Sequence, residues 1–236
     1  LAAIGSDVAL MLLNGIAQKV KFKGLQDRAR EKIAQVAEAR GFTTEELEDR
    51  LAPDLGLDER GTLLLDFGPR SFRVGFDESL KPYVRDDDGA RLADLPKPRK
   101  TDDAALAAEA IERFKTLKKD ARTIAAQQVL RLELAMCSRR RWRADVFRAF
   151  LVEHPLLRHL VQRLVWGVYA IDAADAAGSH GGRLSHCFRV AEDGSFTDAC
   201  DEPFELPAPH GEGEGGGSGG DTWIGVPHAL ELDDAT

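Results

Sequence analysis

Residues 101–138, TDDAALAAEAIERFKTLKKDARTIAAQQVLRLELAMCS, keep one helical rhythm along their whole length. Ile111, Phe114 and Leu117, then Ala121, Ile124, Ala125, Gln128, Leu132, Ala135 and Met136 recur at helical spacing, so they line one side of a single bent helix or of two in succession. Thr101 or Asp102 stands where a cap is needed, and Lys115, Lys118, Lys119 and Arg122 fall mostly off the stripe, on a solvated face. What constrains the fold is that the period changes on both sides of this segment. Upstream, GTLLLDFG, SFRVGFDE and KPYVRD alternate apolar and polar residues and are parted by GPR and ESL, which predicts a three-stranded meander. Downstream, HCFRVAEDGSFTDA predicts a hairpin turning at Asp193-Gly194, and TWIGVPHALEL a further strand. The expectation is an α+β fold, mainly helical, with an antiparallel sheet built from two separate strand groups. Neither group alone has enough strands to stand in water, so both are expected to share one sheet on which the helices pack.

The chain opens with two further apolar stripes, Leu10, Leu13, Ile16, Ala17 and Val20, then Leu25, Ala29, Ile33, Val36 and Ala37, with Gly24 marking a turn between two amphipathic helices. Gly41 ends the second, and Thr43 with Glu46 spells a capping box for the short helix TEELEDRLA, closed by Pro53. Residues 1–55 are thus expected to form a helix pair like the end of a HEAT-like array, and 56–236 an α+β domain. The acidic DDDGAR is a plain Asp-Gly turn, because a calcium loop interleaves its carboxylates and ends on a distant Glu. Two glycine-rich interruptions, near 172–185 and 208–221, are too poor in apolar side chains to offset their ordering entropy and are expected to be mobile.

At 236 residues and 43% hydrophobic, the chain can bury a core without staples. A net charge of −8 argues against a wholesale binder of nucleic acid or anionic membrane, so any basic site must be local. Cys137, Cys187 and Cys200 are odd in number and at no metal-ligand spacing, which points to a reducing, cytoplasmic setting. The opening apolar run is too short and interrupted to span a membrane. A start at Leu1 and a stop at LDDAT directly after an apolar run suggest a piece of a longer protein.

The local basic site is SRRRWRADVFRAFLVEHPLLRHLVQRLVWGVY. Between Arg139 and Arg163 it holds seven arginines against Asp145 and Glu153, a surplus of five in an acidic chain. Val146, Phe147, Phe150 and Leu151 give one helix stripe, and Leu156, Leu157, Leu160, Val161, Leu164 and Val165 another, with His154-Pro155 as the junction and Trp166 as the exit toward sheet. Three readings compete. The arginines tie these helices to acidic segments of the same chain; or they dock another domain or a protein partner, since Trp and Arg are enriched at interface hot spots; or they bind phosphate or a single strand. The candidate binding residues are Arg139, Arg140, Arg141, Trp142 and Arg143.

No catalytic constellation emerges. His154 and His159 are five apart and fall on different helix faces, and His180, His186, Cys187 and Cys200 match no zinc pattern. GEGEGGGSGG lacks the lysine and helix of a phosphate loop. Glu133 is the one carboxylate worth examining, and an arginine partner explains it better than acid catalysis. Accordingly no catalytic residue, metal or cofactor is expected.

Taken together, GLQDRAREKIAQVAEARGFTTEELEDRLAPDLGLDERGTLLLDFGPRSFRV, LADLPKPRKTDD, QQVLRLELAM, RRW, EHPLLRHLVQRLVWGVY and FRVAEDGSFTD resemble the bacterial domain of unknown function found in molybdate metabolism regulator-like proteins. The resemblance covers nearly the whole chain apart from the glycine-rich interruptions. Members often carry a WGR domain toward the N-terminus and helical repeats before this region. Here Trp166-Gly167 is followed by Val168, so it is not the Trp-Gly-Arg signature, and VPHALEL has His228-Ala229 where the family is associated with a His-Pro pair. The resemblance carries no residue-by-residue chemistry. It implies a non-catalytic interaction or scaffold module in a larger cytoplasmic bacterial protein, partnered by other domains of that chain or by another protein. A nucleic-acid-associated regulatory module is the competing class, and an enzyme of unrecognised type a weaker third.

Overall fold

A computed structural model describes residues 13–17, 20–77, 79–170, 182–206 and 222–233. The chain divides into two units, Leu1–Asp54 and Leu55–Thr236.

In the first unit, residues 13–17 are helical and are followed by α1 (Lys23–Ala39) and α2 (Thr44–Arg50). Leu13, Ala17, Ala29, Ile33, Ala37, Leu47 and Leu51 form one apolar cluster, so both opening stripes do face a core. Two details depart from the expected pattern. Gly24 lies inside the first turn of α1 rather than between helices, and Leu25, one turn ahead of Ala29, is half exposed at that frayed start. Leu10 lies outside the described residues. The capping box forms as its spacing predicts: the Glu46 amide donates to Thr43 Oγ1 (3.1 Å) and the Thr43 amide to the Glu46 carboxylate (2.8 Å). Gly41, at φ +71°, ends α1.

In the second unit, the meander gains a fourth strand: β1 (Leu63–Asp66), β2 (Ser71–Phe76), β3 (Pro82–Arg85) and β4 (Arg91–Leu92), antiparallel in sequence order. DDDGAR is the β3–β4 turn, with Gly89 at φ +82°. Residues 101–138 supply one helix, α3 (Ala104–Cys137), about 50 Å long at 1.5 Å per residue. It packs on β1 and β3, and Phe114, Leu117, Ala121 and Ile124 are among its buried residues. Its cap is Asp103, which accepts from the Ala105 and Leu106 amides, and not Thr101 or Asp102. Asp102 is drawn away by Arg70, which grips it with Nε (3.0 Å) and Nη2 (2.7 Å), pinning the proline-rich connector to the first hairpin. Ile111 turns out partly exposed, while the smaller Ala107 and Ala110 are buried.

After α3 come β5 (Trp142–Arg143), α4 (Ala144–Phe147), a π-helical turn (Arg148–Val152) and α5 (Arg158–Val161). Then follow β6 (Trp166–Ala170), β7 (Arg183–Val190), β8 (Phe196–Asp198), β9 (Pro203–Phe204), β10 (Thr222–Gly225) and α6 (Ala229–Asp233). The fold is α+β with two antiparallel strand groups, as expected. The groups do not share one sheet, however: β5 to β10 form their own six-stranded sheet, ordered β5-β10-β6-β7-β8-β9. What makes this possible is a strand neither group was credited with, β5, and the insertion of β10 between β5 and β6, which gives the second group enough strands to bury a face. Its core is aromatic, with Phe147 edge-on to Trp166 (4.6 Å) and Phe188 packed on Phe196 (5.4 Å) and Phe204 (5.3 Å).

The helix expected through Leu156 to Val165 is cut to one turn. Trp166 Nε1 donates to the Val161 carbonyl (2.9 Å), taking the acceptor the next helical amide would need, and the chain leaves for β6 with Val165 partly exposed. At its other end His154 caps the turn, Nδ1 accepting from the Leu156 and Leu157 amides (both 3.1 Å). TWIGVPHALEL is also divided: the strand stops at Gly225, and ALELD is helical, with His228 Nδ1 accepting from the Leu230 amide. Of the glycine-rich interruptions, residues 172–181 and 208–221 lie outside the described residues, and Arg183–Ser185 already belong to β7. No described helix is long and apolar enough to cross a membrane.

Candidate functional site

The five candidate residues sit at the turn from α3 into β5, and the chain splits them between inside and outside. Arg139, at φ +55°, closes α3: its amide bonds the Met136 carbonyl (3.2 Å) and the Arg140 amide bonds that of Ala135 (2.8 Å), a Schellman pair with an arginine where glycine is usual. Arg139 and Arg143 face solvent, Arg143 pairing loosely with Asp145 (3.3 Å). Arg140 is buried with its guanidinium over the Trp142 ring (5.0 Å), and Trp142 is itself buried, edge-on to Trp166 (6.0 Å).

Arg141 goes furthest in, its side chain 0% exposed. Its guanidinium lies 3.6 Å from the centre of the Tyr169 ring, and Nη2 donates to Glu231 Oε1 (3.0 Å). The other Glu231 oxygen accepts from the Tyr169 hydroxyl (3.0 Å) and the His228 amide (2.8 Å). Room for this comes from two glycines paired across β6 and β10, Gly167 and Gly225. A Cβ on Gly225 would lie 2.5 Å from Arg141 Cδ, and one on Gly167 2.8 Å from the Tyr169 ring. The Trp-Gly pair is thus a packing device: Trp166 ends α5 and Gly167 admits the ring two residues on. Burial depresses the Arg141 pKa, and burial first, then the Glu231 charge, pushes Tyr169 well above the phenol range, so its hydroxyl stays a donor. Arg141 Nε, also buried, has no hydrogen-bond partner among the described residues. The arrangement holds the last strand and α6 against the arginine turn. Sequence reasoning named Arg141 and missed Glu231, which stands ninety positions away with no local signal; Glu133, the carboxylate singled out, is exposed on α3.

Of the remaining arginines of the segment, Arg158 is structural as well. Arg158 donates to the carbonyls of Glu59 (2.6 Å) and Glu192 (2.9 Å), bridging a loop before the first sheet to a hairpin of the second. His159 beside it donates from Nε2 to the Gly61 carbonyl (3.0 Å) and packs on Phe76. A hollow of about 280 Å³ next to β7 is lined by Cys187, Arg189, Asp198 and Asp201, but burial pushes the Cys187 thiol up, away from nucleophilic use. An open groove of about 520 Å³ along α3 is lined by Glu109, Glu112, Arg113 and Asp120. Among the described residues, His, Cys, Asp and Glu side chains nowhere gather in threes fit to hold a metal.

The profile of a domain of unknown function, DUF4132, matches residues 89–236, from the β3–β4 turn through both the arginine turn and α6. The chain belongs to this family. It is also 41% identical, over 98% of its length, to the uncharacterized protein YehI of Escherichia coli (strain K12). That match takes up 18% of the relative, so the chain spans about a fifth of the length of the curated protein it matches. No solved structure matches it.

Proposed function

We propose that this chain is a non-catalytic interaction module of a larger cytoplasmic bacterial protein, and that it binds another segment of the same long polypeptide. The observation that carries this is the outer side of α3. Gln128, Leu132 and Ala135 face inward, while Leu130 (56% exposed) and Leu134 (59%) stand one turn apart on the opposite side, flanked by Val129 (41%). A helix side meant for water carries charges there, and clustered exposed leucines mark a contact surface. The occupant is argued from the relative, most of whose length lies outside the aligned part. The inward course of Arg140, Arg141 and Trp142 weighs against reading that turn as a phosphate surface. The test is hydrogen exchange on the full-length polypeptide with Leu130→Lys and Leu134→Lys combined. Faster exchange in a segment outside these 236 residues is expected; unchanged exchange there would overturn the reading.

A further inference from the structure

The first sheet has one face against α3 and one open face, and register decides what the open face displays. Leu64 pairs with Arg73, Arg73 with Arg85, and Arg85 with Arg91, so one row across all four strands reads Leu-Arg-Arg-Arg. All four side chains are exposed. Like charges directly opposite each other destabilise a sheet, and these arginines, separated in sequence, come together only through pairing.

The neighbouring carboxylates do not resolve the repulsion, because most are spent on turns. Asp77 accepts from the Ser79 and Lys81 amides, Asp86 from the Ala90 amide, and Asp87 from the Ser71 amide and hydroxyl. Arg73 reaches Thr62 Oγ1 (2.9 Å) and, at 3.5 Å, Asp58, whose other bonds close its own loop. Arg91 stands 4.0 Å from Asp77 with its guanidinium over the Tyr83 ring. For Arg85 the contacts are the Tyr83 ring and hydroxyl (3.4 Å), and no carboxylate among the described residues lies within ion-pair distance.

We propose that this open face is a docking surface for an extended, carboxylate-bearing segment of a partner protein. Charge complementarity selects the class. The three arginines of the row span about 10 Å at the usual strand spacing, and alternate side chains of an extended chain stand about 6.7 Å apart, so two carboxylates of an acidic-x-acidic strand lie over three guanidinium groups. Leu64 adds an apolar contact at one end, a mixture typical of protein interfaces. A nucleic acid fits less well: Arg91 already covers the Tyr83 ring that a base would stack on, and the chain carries a net −8. This surface is distinct from the exposed leucines of α3, and either reading stands if the other fails.

The test uses the full chain, a fluorescein-labelled peptide alternating Asp with Val, and labelled oligo-dT, with binding read by anisotropy at low and moderate salt. The peptide is expected to bind, more weakly as salt rises, and Arg85→Thr or Arg73→Thr to weaken it about tenfold. Because these arginines repel one another, Arg85→Thr is expected to leave Tm unchanged or raise it by about 1–3 °C. Oligo-dT binding in place of the peptide, equal peptide binding by the variants, no peptide binding at all, or a fall in Tm on Arg85→Thr would each overturn the proposal.

Discussion

Glu231→Ala is the sharpest test of how the second sheet is closed. It removes the acceptor of a guanidinium that is wholly buried, together with the acceptor of the Tyr169 hydroxyl and of the His228 amide. Removing one partner of a buried pair costs about 3–5 kcal/mol, because the surviving charge stays desolvated. Glu231 itself is 15% exposed, so water can enter where the carboxylate was, and the Tyr169 ring still faces the cation; the lower end, about 3 kcal/mol, is expected. At about 2–4 °C per kcal/mol for a unit of this size, Tm falls by about 6–12 °C. Glu231→Gln keeps the shape and an acceptor oxygen and loses about half as much. The assay is thermal and urea unfolding followed by tryptophan emission, since Trp142 and Trp166 are buried in the same six-stranded sheet. Arg141→Met with Glu231→Leu supplies the control: with neither charge present, the double variant should regain most of what Glu231→Ala lost. A Tm for Glu231→Ala within about 2 °C of the parent would refute the reasoning, and so would a double variant no more stable than the single one.

Further expectations follow from the same geometry. Burial holds the His159 imidazole below the ordinary histidine range, with Arg158 and Arg163 adding to the effect against the Gly61 carbonyl. The unfolded chain therefore takes up a proton near pH 6.5 that the folded chain refuses, so stability is full above about pH 6.5 and declines below it toward the folded pKa. Urea midpoints across this range should fall in the parent and fall less in His159→Gln; equal slopes would contradict the assignment. Gly61→Ala should lower stability by more than about 3 kcal/mol, because a Cβ at φ +72° would lie 2.4 Å from the Pro155 carbonyl oxygen, and backbone cannot step aside. In contrast, Arg139→Gly should raise Tm by about 2–4 °C by relieving a left-handed arginine, and a lower Tm would contradict this.

Signals that are local in sequence were legible. Thr43 and Glu46 are three residues apart and satisfy each other's amides; Asp193-Gly194 turns a hairpin; the stripe from Phe114 to Ala135 is buried along one helix. What escaped is decided by distant partners. Nothing near Val161 announces that a tryptophan indole will take its carbonyl, and nothing near Trp223 says that its strand inserts between Trp142 and Val168. The same holds for function. Arginines dense in sequence, Arg139 to Arg143, divide between core and solvent because successive residues of a turn and short strand point in different directions. Arginines sparse in sequence, Arg73, Arg85 and Arg91, become neighbours through register.

The contrast between Arg141 and Arg85 shows what separates a structural arginine from an available one. Both touch a tyrosine ring, so the aromatic contact does not discriminate. Arg141 also meets a carboxylate held by two further hydrogen bonds and fits a gap left by paired glycines; moving it would strip Glu231 Oε1 of its donor and uncover the Tyr169 ring. Among the described residues Arg85 has the Tyr83 ring and the long bond to that tyrosine's hydroxyl, and its departure toward a ligand strands no buried group there. Desolvating Arg141 is already compensated within the fold, whereas Arg85 has no carboxylate partner among the described residues. An external anion thus has more to offer Arg85 than Arg141, so the proposed docking surface lies on the first sheet rather than at the densest arginines of the sequence.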